Sequence, residues 1–171
     1  MLDSQILHLV NNMAGQNPAL DAFFIFTTVF GNLLLFAIIL YSKNEELACK
    51  CIIAYLFAVI IDLGINLLYH RPRPFIAEEV NLLIAQRPTS SFPSRHAMTA
   101  FAFAQLFYFW SRKYMYCIFV FILAFLIVFS RIFVGVHYPL DTAAGIVLGI
   151  GIAFLVEHLF KKYLMKRIKS K

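Results

Sequence analysis

No lysine or arginine occurs before Lys43, and charged residues of either sign make up only 14% of the 171-residue chain. Globular proteins average about 25% charged and about 45–50% apolar residues. Here the apolar share is 61%. One soluble domain of this length cannot hide that much apolar surface, so the composition points to a single domain, residues 1–171, folded in a bilayer. Cysteine is also scarce. Cys49, Cys51 and Cys117 are odd in number and lie inside apolar runs, which argues against a disulfide framework. Cys49-Lys50-Cys51 has no second ligand pair, so its thiols read as small apolar side chains and not as a metal site. The N-terminus lacks the basic stretch of a secretory signal, and the first apolar run is long enough to span a membrane and stay there.

The net charge is +6, but its distribution argues against nucleic-acid binding. Six of the fifteen basic residues crowd into the tail from Lys161 to Lys171, after a long apolar run. That arrangement suits a cytoplasmic anchor facing anionic lipid.

About 20 mostly apolar residues cross a bilayer core as a helix. Five stretches are expected to do so: Leu20–Tyr41, Leu47–Tyr69, Ala97–Trp110, Tyr114–Phe133 and Leu140–Phe160. The third is short and is expected to begin nearer Ser94. Ahead of them, Leu2, Ile6, Leu9, Val10 and Met13 share one helical face, which predicts an interfacial helix ended by the turn residues Gly15-Gln16-Asn17-Pro18. The expected fold is therefore all-α: a membrane bundle of five spans plus an N-terminal interfacial helix.

Alternating the spans puts Lys43, Lys50, Arg112, Lys113 and the basic tail on one side, which gathers ten of the fifteen basic residues and every lysine. By the positive-inside rule that side is cytoplasmic. The other side holds Arg71, Arg73, Arg87, Arg95 and Arg131 and no lysine. Arginines near helix ends can snorkel to headgroups, but snorkelling does not explain why the same loops also carry His70, His96, His137, Ser94 and Asp141. Arginine suits planar, multi-bond recognition of phosphate.

Three runs converge on that outer face by topology alone: Asn66 to Phe75, Ser91 to His96, and Ser130 to Asp141. Pro93 and Pro139 each suit a helix start, where free backbone N–H groups and the dipole favour an anion. His137 and Asp141 are four apart, so the carboxylate is placed to fix one ring nitrogen and leave the other free to attack. Asp62, Asn66 and His70 also recur at intervals of four as a polar stripe on the second span. Asp62 reads as an interhelical hydrogen-bonding residue, and Asn66 and His70, nearer the outer end, are candidates for the site. Gly145 and Gly149 read as close helix packing.

These runs resemble the signature of the type 2 phosphatidic acid phosphatase (PAP2) superfamily: Lys-x6-Arg-Pro, Pro-Ser-Gly-His and Ser-Arg-x5-His-x3-Asp. The third matches in full at Ser130, Arg131, His137 and Asp141, the second at Pro93, Ser94 and His96, the first at Arg73 and Pro74. Within the superfamily, Arg73–Phe75, Ser91–Ser94 and Ser130–Pro139 are most similar to the bacterial undecaprenyl-diphosphatases of the bacitracin-resistance type. The resemblance implies a lipid phosphatase in which His137 is the nucleophile, Asp141 orients it and His96 is the acid and base. Arg73, Arg131 and Ser94 would bind phosphate. It implies neither metal nor cofactor.

Two positions depart from the pattern. Asn66 stands where lysine is usual, which removes a positive charge, and Arg95 stands where glycine is frequent. If Arg95 enters the pocket it replaces that charge or binds a second phosphate; if it points to solvent it does neither. Two other readings remain: a phosphatidylglycerophosphate or phosphatidate phosphatase, and a non-catalytic lipid-phosphate binder or transporter, which would be expected to have lost a histidine or the aspartate.

Overall fold

The computed structural model describes the backbone of residues 2–111 and 113–169, with side chains as far as residue 162. Arg112 and the last basic side chains of the tail lie outside the described residues. The described chain is helical throughout its regular structure: α1 Leu2–Asn11, α2 Pro18–Tyr41, α3 Glu45–Leu68, α4 Pro74–Ala77, α5 Arg95–Trp110, α6 Tyr114–Phe133 and α7 Pro139–Lys169.

Among the described residues, four helices are long and apolar enough to cross a membrane: α2, α3, α6, and α7 between Pro139 and Lys162. Two of them, α2 and α3, start on asparagine caps. Asn17 accepts from the backbone N–H groups of Ala19 and Leu20 with Pro18 at the first helical position, and Asn44 accepts from that of Leu47. Around the bundle, Phe26, Leu33, Ile60, Leu67, Phe119, Phe125, Val147 and Phe154 are exposed. In water such a band would drive association; in a bilayer it faces lipid.

The short α5 is the middle of the bundle, touching α2, α3, α6 and α7. Its Ala97, Met98, Ala100, Ala102 and Ala104 are fully covered. Alanines on α5 and glycines on α7 let these backbones approach closely. A Cβ on Gly145 would lie 2.7 Å from the Ser94 carbonyl oxygen and 2.8 Å from Ala97 Cβ. That close approach sets the heads of α5 and α7 side by side, where the candidate site forms. At the far end Lys50 pairs with Glu157 at 2.8 Å, tying α3 to α7.

α1 binds the rest of the chain mainly through the face with Asp3, Ser4, Leu7 and Asn11, and Val10 of the apolar stripe also packs against the core. Leu7 is fully buried with Ile132 and Tyr138. Asn11 donates to the carbonyls of Phe133 (2.7 Å) and Asn81 (3.0 Å) and accepts from the N–H of Asn81 (2.8 Å). Leu2, Leu9 and Met13, residues of the predicted stripe, remain exposed. α7 runs beyond the expected end at Phe160, because lysine and arginine are good helix formers and nothing stops the helix there.

Candidate active site

The turn between α6 and α7 shapes the site. Gly135 adopts φ +78, which only glycine takes without strain, and both Val136 and His137 donate their N–H to the Arg131 carbonyl at 3.2 and 3.3 Å. The chain thereby folds back, and His137 is set at the head of α7 and almost fully buried.

A cavity of about 300 Å³ opens beside it. His137, His96, Arg73, Arg131, Arg95, Arg87, Asn66 and Asp62 are in its wall, with Thr89 and Gln86. Of the two candidates on the predicted polar stripe, Asn66 lines the cavity, whereas His70 is exposed and does not. It lies beyond the last turn of α3, where the chain is already extended. Ser94 and Asp141 are fully buried and lie behind the wall, with the Ser94 N–H donating to the Asp141 carbonyl at 3.0 Å.

The imidazole of His137 is held at both edges. Its Nε2 is 3.4 Å from Arg73 Nη1, and its Nδ1 is 3.7 Å from Asp141 Oδ2. The expected pairing of carboxylate and ring is present in direction, at a separation longer than a hydrogen bond. Burial pushes the His137 ring down to about 4, and the neighbouring Arg131 and Arg73 push the same way. The ring is therefore a free base at neutral pH, as a nucleophile requires. Arg73 is itself braced, donating through Nη1 to the Val136 carbonyl (3.0 Å) and through Nη2 to Thr89 Oγ1 (3.2 Å). Burial lowers the affinity of its guanidinium for the proton, countered by Asp141 and Asp62.

Arg131 and Ser130 both reach Thr28 of α2, with Arg131 Nη1 and Ser130 Oγ donating to its hydroxyl at 3.3 and 2.9 Å. Arg131 Nε, Ser94 Oγ, Asn66 Oδ1 and His137 Nδ1 are buried without a hydrogen bond inside the protein. Leaving a buried polar atom unmet costs about 1–3 kcal/mol, so Arg131 and Asn66, which also line the cavity, are placed to meet a polar ligand there. Asn66 donates to Asp62 Oδ1 at 3.1 Å, and Arg95 stands 3.5 Å from Asp62 Oδ2. Arg95 is half exposed and its side chain lines the cavity, so of the two orientations left open by the sequence it takes the inward one. Among the described residues, no three of His, Cys, Asp and Glu are grouped so as to hold a metal ion.

Arg95 and His96 also line a second cavity of about 440 Å³, whose other walls are mostly apolar: Leu33, Phe36, Ile52, Tyr55 and Phe103. The two spaces therefore share a boundary, polar on one side and apolar on the other.

The PAP2 superfamily profile matches residues 47–164. Undecaprenyl-diphosphatase BcrC of Bacillus subtilis (strain 168) is 32% identical over 160 residues, covering 90% of this chain and 82% of that protein. An undecaprenyl-diphosphatase of Sulfolobus acidocaldarius is 28% identical over 134 residues, covering 78% of this chain and 65% of its own length. The crystal structure of Aquifex aeolicus LpxE superposes with a TM-score of 0.79 at 29% identity, over 92% of this chain and 96% of that one. The profile runs from α3 into α7 and takes in both histidines. On these grounds the chain belongs to the PAP2 superfamily and is a multi-pass membrane phosphatase.

Proposed function

We propose that the chain hydrolyses undecaprenyl diphosphate to undecaprenyl phosphate and inorganic phosphate at the outer face of the cell membrane. The observation that carries this reading is the junction of the two cavities at Arg95 and His96. A headgroup held by arginines on the polar side would continue into an isoprenoid chain on the apolar side. The names of the Bacillus and Sulfolobus relatives support the same substrate.

His137 Nε2 attacks the terminal phosphorus, and the bond from phosphorus to the bridging oxygen breaks. His96 gives its proton to that oxygen, which leaves as undecaprenyl phosphate. Water then attacks the phosphohistidine, loses a proton to His96, and the phosphorus–nitrogen bond breaks to release phosphate. Asp141, behind the ring, favours the tautomer with Nδ1 protonated. Arg73 and Arg131 stabilise the charge on the transferring group, with the free N–H groups at the head of α5, whose N-cap residue, Ser94, lies behind the wall. Arg95 supplies the positive charge that Asn66 lacks and faces the second phosphate.

In this reading α5 counts as a fifth span. It is enclosed by the four long helices and needs no lipid-facing length of its own. α1 lies at the outer interface with Leu2, Leu9 and Met13 toward lipid. The lysines of the opposite end support a cytoplasmic position for that end and for the C-terminus.

The test is turnover by the purified chain of undecaprenyl diphosphate, phosphatidate and phosphatidylglycerophosphate, with His137→Ala and His96→Ala alongside. Undecaprenyl diphosphate is expected to be preferred, His137→Ala to be inactive while folded, and His96→Ala to be nearly so. Near-normal turnover by His137→Ala would overturn the mechanism.

A further inference from the structure

Five arginines lie at the outer end of the bundle, and four of them, Arg73, Arg87, Arg95 and Arg131, line the polar cavity. Arg71 does not. Its Nη1 donates to Asp141 Oδ1 at 2.7 Å and its Nη2 to Asp3 Oδ2 at 2.5 Å. Its guanidinium carbon lies 3.9 Å over the ring of Tyr138. Both ends of its planar fork are thus engaged by carboxylates and one face by an aromatic ring. Burial works against its charge, yet the hydrogen bond to Asp3 and the charge of Asp141 outweigh it and hold the group above its ordinary value. This geometry is unlike that of a side chain waiting for phosphate.

The Asp141 carboxylate is fully buried and behind His137. Its Oδ2 accepts from the Tyr138 N–H at 2.9 Å and faces His137 Nδ1, while Oδ1 is held by Arg71. Without Arg71 the carboxylate would keep a single backbone donor and be free to turn about its own axis. Asp3 serves two partners in turn, since its Oδ1 accepts from the Leu140 N–H at 2.9 Å in the first turn of α7. One aspartate of α1 therefore fastens both Arg71 and the helix that carries Asp141. Asp3 lies outside residues 47–164, the segment that matches the superfamily profile.

We propose that Arg71, braced by Asp3 of α1, is a positioning residue that fixes the Asp141 carboxylate behind His137, so that the N-terminal helix completes the active site. The inference rests on the reading of His137 as nucleophile. Displacement of reacting groups by about 1 Å can cost on the order of 100-fold in rate, so an effect on kcat is expected without one on substrate binding.

The test uses the full chain in detergent with undecaprenyl diphosphate, comparing wild type, Arg71→Gln, Arg71→Lys, Asp3→Asn and Asp3→Asn/Arg71→Gln, each with kcat, KM and a melting temperature. Arg71→Gln is expected to lower kcat about 10- to 100-fold with KM within about twofold, and Arg71→Lys to recover part of the loss. Asp3→Asn is expected to fall less, and the double variant to be no worse than Arg71→Gln alone, because the two residues act as one unit. A purely structural clip would lower the melting temperature and leave kcat alone. A folded Arg71→Gln with wild-type kcat, or one that raises only KM, would overturn the inference. Should Arg71→Gln fail to fold, a folded Asp3→Asn with unchanged kcat would overturn it equally. Wild-type protein inactive on every lipid phosphate tried would overturn the functional reading and this inference with it.

Discussion

Arg73 Nη1 stands 3.4 Å from His137 Nε2, on the opposite edge of the ring from Asp141. A cation therefore faces the nitrogen proposed to attack phosphorus, and a carboxylate faces the other. The cation has two consequences. It draws a phosphate oxygen to within reach of Nε2, and it makes protonation of that nitrogen less favourable.

The second consequence predicts a pH profile. Burial, aided by Arg131 and Arg73, pushes the His137 ring down to about 4, so the free base persists as pH falls and is lost only on passing through that value. The acid limb of kcat/KM, which reports the free enzyme, is expected near pH 4 and not near the ordinary histidine value of about 6.5, after allowance for the ionisation of the substrate. In Arg73→Gln the limb is expected to move upward, by less than the whole gap because burial is the larger cause. An acid limb at the ordinary histidine value in the wild type would show that the ring is not desolvated as described.

Much of this site is legible in the sequence because its parts are local. His137 and Asp141 sit one helical turn apart, and Pro93 with Ser94 announces the head of α5. The span from Tyr114 to Phe133 is readable residue for residue, since apolar length alone decides it. The relationships that escape are long-range. Nothing near Asp3 signals that it will meet Arg71 and Leu140, which lie 68 and 137 residues away. Thr28, on the first long helix, carries no motif, yet it receives hydrogen bonds from both Ser130 and Arg131. Asp62 reads from its spacing as an interhelical contact, and the cavity wall it shares with Arg95 depends on how α3 packs against α5, which periodicity does not encode. The apolar stripe of α1 is visible in the sequence. Which face of that helix buries is not, because the docking face holds a mix of Asp3, Ser4, Leu7 and Asn11.

The lysine asymmetry predicts which end faces the cytoplasm. Ala77 is exposed at the end with the active site, and Lys113 is exposed at the other. With Cys49, Cys51 and Cys117 replaced, a cysteine at Ala77 should react with a membrane-impermeant thiol reagent added to intact cells. One at Lys113 should react only after permeabilisation. The reverse pattern would invert the proposed topology.

Positive charge in the proposed phosphate site comes from guanidinium groups, and the acidic residue in the cavity wall, Asp62, already faces Arg95 and Asn66. Activity is therefore expected to survive EDTA. Vanadate, which mimics five-coordinate phosphorus, is expected to inhibit in competition with substrate. Loss of turnover in EDTA, restored by Mg²⁺, would assign to a metal cation the charge stabilisation proposed for Arg73 and Arg131.

The substrate prediction turns on Arg95. At 3.5 Å from Asp62 Oδ2 and 46% exposed, its guanidinium is only loosely held and can reach for an incoming anion. Asp62 then acts as a resting partner that keeps the arginine in the wall between the polar and apolar cavities. A monoester places one phosphate beside His137 and leaves Arg95 nothing further to bind, whereas a diphosphate carries a second charged group toward the apolar side, where Arg95 stands. Charge-assisted bonds are roughly twice as strong as neutral ones, so losing this arginine should fall mainly on the diphosphate. Arg95→Ala is expected to lower kcat/KM for undecaprenyl diphosphate about tenfold, equivalent to about 1.4 kcal/mol of transition-state stabilisation, and to change phosphatidate turnover by less than about threefold, under about 0.7 kcal/mol on the same scale. Overexpression of the wild type, but not of His137→Ala, should raise bacitracin tolerance in a bacterial host. If wild-type protein favoured phosphatidylglycerophosphate tenfold over the prenyl diphosphate in the same detergent, the undecaprenyl assignment would fall, while the phosphohistidine mechanism would stand on His137 and His96.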